Sequence, residues 1–220
     1  MVPFFCALLQ VPINMLHLYR TNIRSVMFDL TIKRDKILFK MLELVVKQGI
    51  QGTPMSQLVK ESGVAAGTIY HHFSSKEEIL NELYLHLKVD FGKALTKNLN
   101  PEVYYQPTFE QIWANLYHYY CDNELAFQFS EQIIHSPIIT EETRLKGEIY
   151  YLPILEFFQA GIDDKILREM DLRLMTNLIY GNVVTAVHLT ISGDLIMTDE
   201  RLSICIASSW DSIKLNTQTN

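Results

Sequence analysis

The sequence predicts an all-α protein in two parts, a small N-terminal helix-turn-helix head and a larger C-terminal helical body. Three observations carry this. Apolar residues recur at helical spacing in segment after segment, with few β-branched runs. Gly63 stands between two short amphipathic segments, where glycine accepts the left-handed backbone of a tight turn. The net charge of −6 is unevenly divided. Over residues 31–76 the bases Lys33, Arg34, Lys36, Lys40, Lys47, Lys60 and Lys76 outnumber the acids Asp35, Glu43 and Glu61. From residue 99 onward seven basic residues face seventeen acidic ones. A basic end on an acidic body suits phosphate binding by that end.

At 220 residues and 48% hydrophobic, the chain can bury a sizeable core. Residues 1–26 read as an extension of uncertain status. The run 1–18 is apolar but interrupted by Pro3, Pro12, Asn14 and His17. No basic residue precedes it and no small-residue cleavage site follows, which argues against a signal peptide. The prolines argue against a membrane span. A translation start at Met27 is the expectation, with a docked arm or a membrane element as alternatives.

The head is expected over 27–76. Its first helix spans about 32–48, with Ile37, Met41, Leu44 and Val45 as the buried stripe and Gly49 as the stop. Lys33, Arg34 and Lys36 cluster at its start, each readable as solvated charge. Thr53 is the candidate N-cap of the second helix, with Pro54 at its first position. The third helix runs over about 65–72. Ala66, Ile69, Tyr70 and Phe73 share one face, while Gly67, Thr68, His71 and His72 form the other. That second face is small at its start and polar beyond, a surface able to enter a major groove. Ser74 with Glu77, or Ser75 with Glu78, makes a capping box. It opens a connecting helix over 77–99, more than about 30 Å long.

The run Gly63-Val64-Ala65-Ala66-Gly67-Thr68-Ile69-Tyr70-His71-His72-Phe73, followed by Ser75-Lys76-Glu77-Glu78-Ile79-Leu80, resembles the TetR family of bacterial transcriptional regulators. The family pattern has Gly-Val, a small or polar pair, Gly-Thr-aliphatic-Tyr, then His-Phe, Ser-Lys and an acidic pair. One departure stands out: the family often has Ser at the place of Ala65 and a longer polar residue at that of Ala66. Ala65 cannot cap, and Ala66 offers only a methyl contact. By resemblance, Ala66, Gly67, Thr68 and His71 would face bases. Thr53, Ser56, Tyr70, His72 and Lys76 would hold phosphates.

Asn100-Pro101 and Gln106-Pro107 mark the start of the body, an effector-binding and dimerisation domain expected over 100–215, followed by a polar tail over 216–220. Helical segments are expected at 108–122, 123–135, 140–160, 165–192 and 199–214, with Pro153 kinking or splitting the third. Leu174, Leu178, Val183 and Val187, with Gly181 and Ala186, and on the next helix Leu202, Ile206, Ala207, Ser209, Trp210 and Ile213, offer more apolar surface than one face needs. In similar regulators two such helices pair with their copies as a four-helix bundle, and the resemblance implies the same here, intrachain packing being the alternative. Such a homodimer would hold two recognition helices roughly 34–36 Å apart, one turn of a near-palindromic operator in double-stranded DNA.

No catalytic signature is found, neither GxSxG, HExxH, P-loop nor GxGxxG, so an enzyme is not expected. His71 and His72 diverge on a helix, and the other histidines are isolated, so neither metal nor cofactor is expected. Cys6, Cys121 and Cys205 are too widely spaced for a disulfide framework or zinc site. A cytoplasmic protein with reduced thiols is the reading. The many body aromatics favour an apolar pocket for an unknown small-molecule effector. Trp113, Tyr117, Tyr151, Asn177 and His188 are the candidate lining residues. Most regulators of this type are repressors released from the operator by a ligand. A protein-binding adaptor that kept the helix-turn-helix as a scaffold is the alternative.

Overall fold

In the computed structural model, residues 28–99, 105–134 and 136–216 are described. The expectations for residues 1–26, for Asn100-Pro101 and for 217–220 lie outside them. Ten α-helices and one 3-10 turn are formed among the described residues. The head comprises α1 (Lys33–Gln48), α2 (Met55–Ser62) and α3 (Ala66–His72), and α4 (Lys76–Leu95) leaves it for the body. The body comprises α5 (Tyr105–Asp122), α6 (Glu124–Ile133), α7 (Glu141–Glu148), the 3-10 turn Ile149–Tyr151, α8 (Leu152–Asp163), α9 (Leu172–Ile191) and α10 (Asp199–Ile213).

Local chemistry sets the head helices. Gly49 ends α1 at φ 78°, and Gly63 ends α2 at φ 62°. Ser75 caps α4 by accepting from the Glu78 N–H at 3.2 Å. The Glu78 carboxylate reaches back to the Ser74 N–H and hydroxyl, both at 2.6 Å. These bonds hold its carboxyl below the usual range. The expected cap at Thr53 is not formed. Pro54 holds the N-cap position of α2 without a side-chain bond, and Thr53 turns inward, its hydroxyl donating to the Gly49 carbonyl at 2.9 Å. Ile37, Leu38, Met41 and Val45 of α1, Leu58 of α2, Ile69 of α3, Phe73 just beyond it, and Ile79, Leu80 and Leu83 of α4 close the head core. Of the four residues expected on the inner face of α3 and its end, Ile69 and Phe73 are buried. Ala66 and Tyr70 point outward.

The head core does not stop at the chain boundary between the parts. Ala126, Phe129 and Ile133 of α6, with Ile139, pack into it. Asn81 of α4 ties the same junction, donating to the Ile138 carbonyl at 2.8 Å and accepting from the Thr140 N–H at 3.0 Å. Further along, α4 meets the 3-10 turn almost backbone to backbone. A Cβ at Gly92 would lie 2.2 Å from the Tyr150 carbonyl oxygen.

The body departs from expectation at the starts of α5 and α9, while the split at Pro153 follows it. Helix α5 begins at Tyr105 and keeps Pro107 in its first turn, where the N–H would be unpaired anyway. The segment with Pro153 is split, and Pro153 sits in the first turn of α8. The helix expected from 165 starts only at Leu172, capped by Asp171. Lys165 adopts φ 56°, and Leu167 forms an isolated bridge with Lys214 at the end of α10. Arg168 fastens this bridge, donating to the carbonyls of Lys214 (2.9 Å) and Asp211 (3.1 Å).

Candidate nucleic-acid interface and ligand cavity

On α3 the outward face is built from the smallest residues the sequence offers. Ala66, Gly67 and His71 are exposed and Thr68 is half-buried. Nothing lies within 4 Å of a Cβ built on Gly67, so the start of the helix presents bare backbone to solvent. Tyr70 is 54% exposed, and Ser56 and His72 are exposed beside it. These six expected contacts are solvent-accessible, with Thr68 half-buried among them. Lys76 is different, because its ammonium donates to the Ile50 carbonyl and pins the start of α4 to the α1–α2 loop. Two of its N–H groups remain. Thr53 has to be withdrawn from the phosphate-binding set, since its side chain is fully buried and its hydroxyl engaged.

The structure also sorts the basic cluster at the start of α1, which sequence reasoning left as undifferentiated charge. Arg34 is committed inward, paired with Glu82 of α4 and placed 5.5 Å over the Phe73 ring. Lys33 and Lys36 are exposed and border a hollow with Gly63, Val64, Ala65 and Thr68. They therefore flank the turn that leads into α3. Their i, i+3 spacing, which puts both on one face of α1 away from Arg34, was the available signal.

The second feature is a cavity of about 210 Å³ in the body. Its apolar wall includes Leu87, Phe91 and Leu95 of α4, Ile112 and Leu116 of α5, and Ile154 and Phe158 of α8. Phe129 and Ile133 of α6 line it too, and these residues belong to the head core as well. Polar groups gather where α4, α7 and the 3-10 turn meet: Tyr84, Lys88, Arg144 and Tyr151, with Thr176 and Asn177 of α9 nearby. Burial raises the Tyr84 and Tyr151 phenols, so both are proton donors at neutral pH.

Of the five expected lining residues, Tyr151 and Asn177 line the cavity. Trp113, Tyr117 and His188 do not. Trp113 and Tyr117 belong to the opposite face of α5, stacked at 5.9 Å in the core, with the Tyr117 hydroxyl 2.9 Å from that of Thr190 on α9. His188 is exposed, its Nε2 3.4 Å from the Glu131 carboxylate.

Helices α9 and α10 carry the third feature. Val183, Ala186 and Val187, expected at an interface, are buried within the chain, as are Ser209, Trp210 and Ile213. What remains outside is Leu174 (53% exposed), Leu178 (49%) and Gly181 on α9, and Ile204 (59%) with Ala207 on α10. Leu174, Leu178 and Gly181 follow one helical stripe. By length and composition α9 could cross a membrane, yet Met175, Ile179, Val183, Ala186 and Val187 pack it into the body core.

Comparison with known proteins agrees with this architecture. Residues 37–83 match the bacterial regulatory proteins of the tetR family, and residues 105–214 match the tetracyclin repressor-like C-terminal domain. An HTH-type transcriptional regulator of Haemophilus influenzae is 30% identical over 80 residues, which span 36% of this chain and 43% of that relative's length. A crystal structure from Shewanella sp. PV-4, assigned as a TetR-family transcription regulator, superposes with a TM-score of 0.77 at 27% identity, over 84% of this chain and 100% of that one. The transcriptional regulator FadR from Bacillus subtilis, solved in complex with stearoyl-CoA, shares the fold at 19% identity and a TM-score of 0.61, over 80% of this chain and 95% of that one. The chain belongs to the TetR family of bacterial regulatory proteins.

Proposed function

We propose that this protein is a dimeric, DNA-binding transcriptional repressor in the cytoplasm, released from its operator by a small apolar effector. The observation that carries this reading is the wall shared by cavity and head. Phe129 and Ile133 line the one and pack into the other. An occupant that favours one arrangement of α6 and α4 thereby favours one orientation of the head. That differential affinity shifts the equilibrium between operator-bound and free states.

Ala66, Gly67, Thr68 and His71 are the base-facing residues of this proposal. Ser56, Tyr70, His72 and Lys76, joined by Lys33 and Lys36, hold phosphates and set register. The exposed stripe Leu174, Leu178 and Gly181, with Ile204, supports pairing of α9 and α10 with a second copy. The FadR complex shows that this fold accommodates an acyl compound, in keeping with an apolar effector here.

Selection from random duplex DNA with the full chain tests the reading. Enrichment of a near-palindromic motif is expected, together with a dimeric mass by sedimentation. Recovery of no motif from a folded protein overturns it.

A further inference from the structure

Lys88 occupies an unusual position for a lysine. It stands on α4 among the residues that line the cavity. Its ammonium stands 4.5 Å from the centroid of Phe91, 5.2 Å from Tyr151 and 5.4 Å from Tyr84. Among the described residues no hydrogen bond or ion pair is formed by this ammonium. Three rings around a cation recover part of its lost hydration, but they are not a counter-ion. Arg144 of α7 stands at the same end of the cavity. Two of its N–H groups are held by the carbonyls of Ile134 (2.9 Å) and Ser136 (2.7 Å), which fixes the guanidinium and leaves other donors uncommitted. The nearby acid is Glu148, whose carboxyl is raised by burial and which is shared electrostatically with Arg173. Neither Glu148 nor Arg173 belongs to the lining, so the cavity wall itself carries two cations and no anion among the described residues.

Ser130, Thr176, Asn177 and three further tyrosines add neutral polar groups to the wall, the remaining lining is apolar, and Lys88 and Arg144 are its only charged residues among those described. The ring cage matters for what is excluded. Three aromatics in this arrangement would suit a quaternary ammonium ligand, but here the chain fills the cage with its own cation.

We infer that the cavity takes an elongated apolar anion, a single-chain carboxylate whose head is held by Lys88 and Arg144 and whose tail lies along Leu87, Leu95, Ile112 and Phe158. This rests on the effector reading above and sharpens it. A carboxylate supplies the missing counter-charge and accepts from both donors, and the Tyr84 and Tyr151 hydroxyls are available beside them. Neutral compounds of the same length leave Lys88 unpaired, and cationic ones are repelled.

Burial also lowers the Lys88 ammonium to about 8, Glu148 opposing the shift and Arg144 adding to it. Burial raises the Tyr84 and Tyr151 phenols, so both stay neutral through this range, and it raises the Glu148 carboxyl too. Lys88 is then the facing group that loses its charge as pH rises past about 8.

Isothermal titration calorimetry of the full chain with dodecanoate, dodecanol and dodecyltrimethylammonium decides the matter. Dodecanoate is expected to bind roughly ten- to a hundredfold more tightly than dodecanol at pH 7. Its affinity should fall as pH rises through the Lys88 transition. Lys88→Met should narrow the gap between dodecanoate and dodecanol to what Arg144 alone supplies and remove the pH dependence. Dodecanol binding as tightly as dodecanoate, tighter binding of the ammonium compound, or a pH-independent affinity overturns the anion site while leaving an apolar effector pocket in place. No binding by any of the three compounds overturns both readings.

Discussion

The head and the body solve the same packing problem in opposite ways. The head core is filled: Ile37, Leu38, Met41, Val45, Leu58 and Ile69 are all fully buried, and the hollow between the start of α1 and the turn into α3 lies outside it, among mostly exposed residues. The body is built around a space, with a buried cation on its wall and buried polar atoms, such as Trp113 Nε1 and Ser209 Oγ, that find no hydrogen-bond partner among the described residues. A filled core resists deformation because every displacement costs contacts. A core with a cavity can be repacked by whatever enters it. Under the proposed function, the difference separates a rigid reading end from an adjustable sensing end, joined at α6 and α4.

That contrast can be broken or sharpened by four substitutions. The largest effect is expected at the joint. Phe129→Ala should cost about 3–5 kcal/mol, because it opens the head core and the cavity together. A thermal melt followed by circular dichroism should show one lowered transition. Two separate transitions would mean that head and body are independent after all.

Gly67→Leu should reduce operator affinity at least about a hundredfold, the loss of more than one base contact, while leaving the melting temperature unchanged. Open space around Gly67 accommodates the side chain in the free protein. Fluorescence anisotropy with a selected operator measures the first part and calorimetry the second.

Lys88→Met tests the body's adjustable side, and its sign follows from linkage. The folded state holds the Lys88 ammonium at about 8, down from 10.5 in the unfolded chain. The unfolded state therefore binds more protons between those values, and stability rises with pH across that window. Below it the buried charge costs the full penalty. Replacing it by methionine should stabilise the ligand-free protein by about 1–3 kcal/mol at pH 7, with the advantage fading as pH approaches 10.5. Urea melts of both proteins at pH 7 and pH 10 check this.

Ser75→Ala should give the smallest change, about 1 kcal/mol, by removing the α4 cap. Urea denaturation measures it, and an unaltered midpoint would show that the Glu78 carboxylate alone holds this end.

How legible these parts were in the sequence follows the same division. The head could be read nearly to the residue because its signals are local. Gly63 must turn, Ser75 and Glu78 lie three apart, and Ile69 with Phe73 must face inward. Thr53 was misread because the chain bends one residue later than the Thr-Pro pair suggests. Its hydroxyl then meets the Gly49 carbonyl instead of capping α2.

The body resisted because its decisive contacts are distant in sequence. Residues 165–171 have a helical pattern but pair with the end of α10. Helix α5 is apolar on two sides. Periodicity alone could not tell the Trp113–Tyr117 face, which packs in the core, from the Ile112–Leu116 face, which lines the cavity. Lys88 gave no signal at all, since a lysine in an amphipathic helix reads as a solvated charge. The exposed stripe on α9 was half legible: Leu174 and Leu178 were expected outside, but Val183 and Val187 turn inward to Phe127 and its neighbours.

The close approach at Gly92 has a mechanical consequence. Wherever side chains separate two helices, small shifts can be absorbed by rotamer changes, as slack in a gear train absorbs a small rotation of the first wheel. Between α4 and the Tyr150 carbonyl there is nothing to reorient. The turn that carries Tyr151 beside Lys88 and the rod that runs to the head must advance and retreat together.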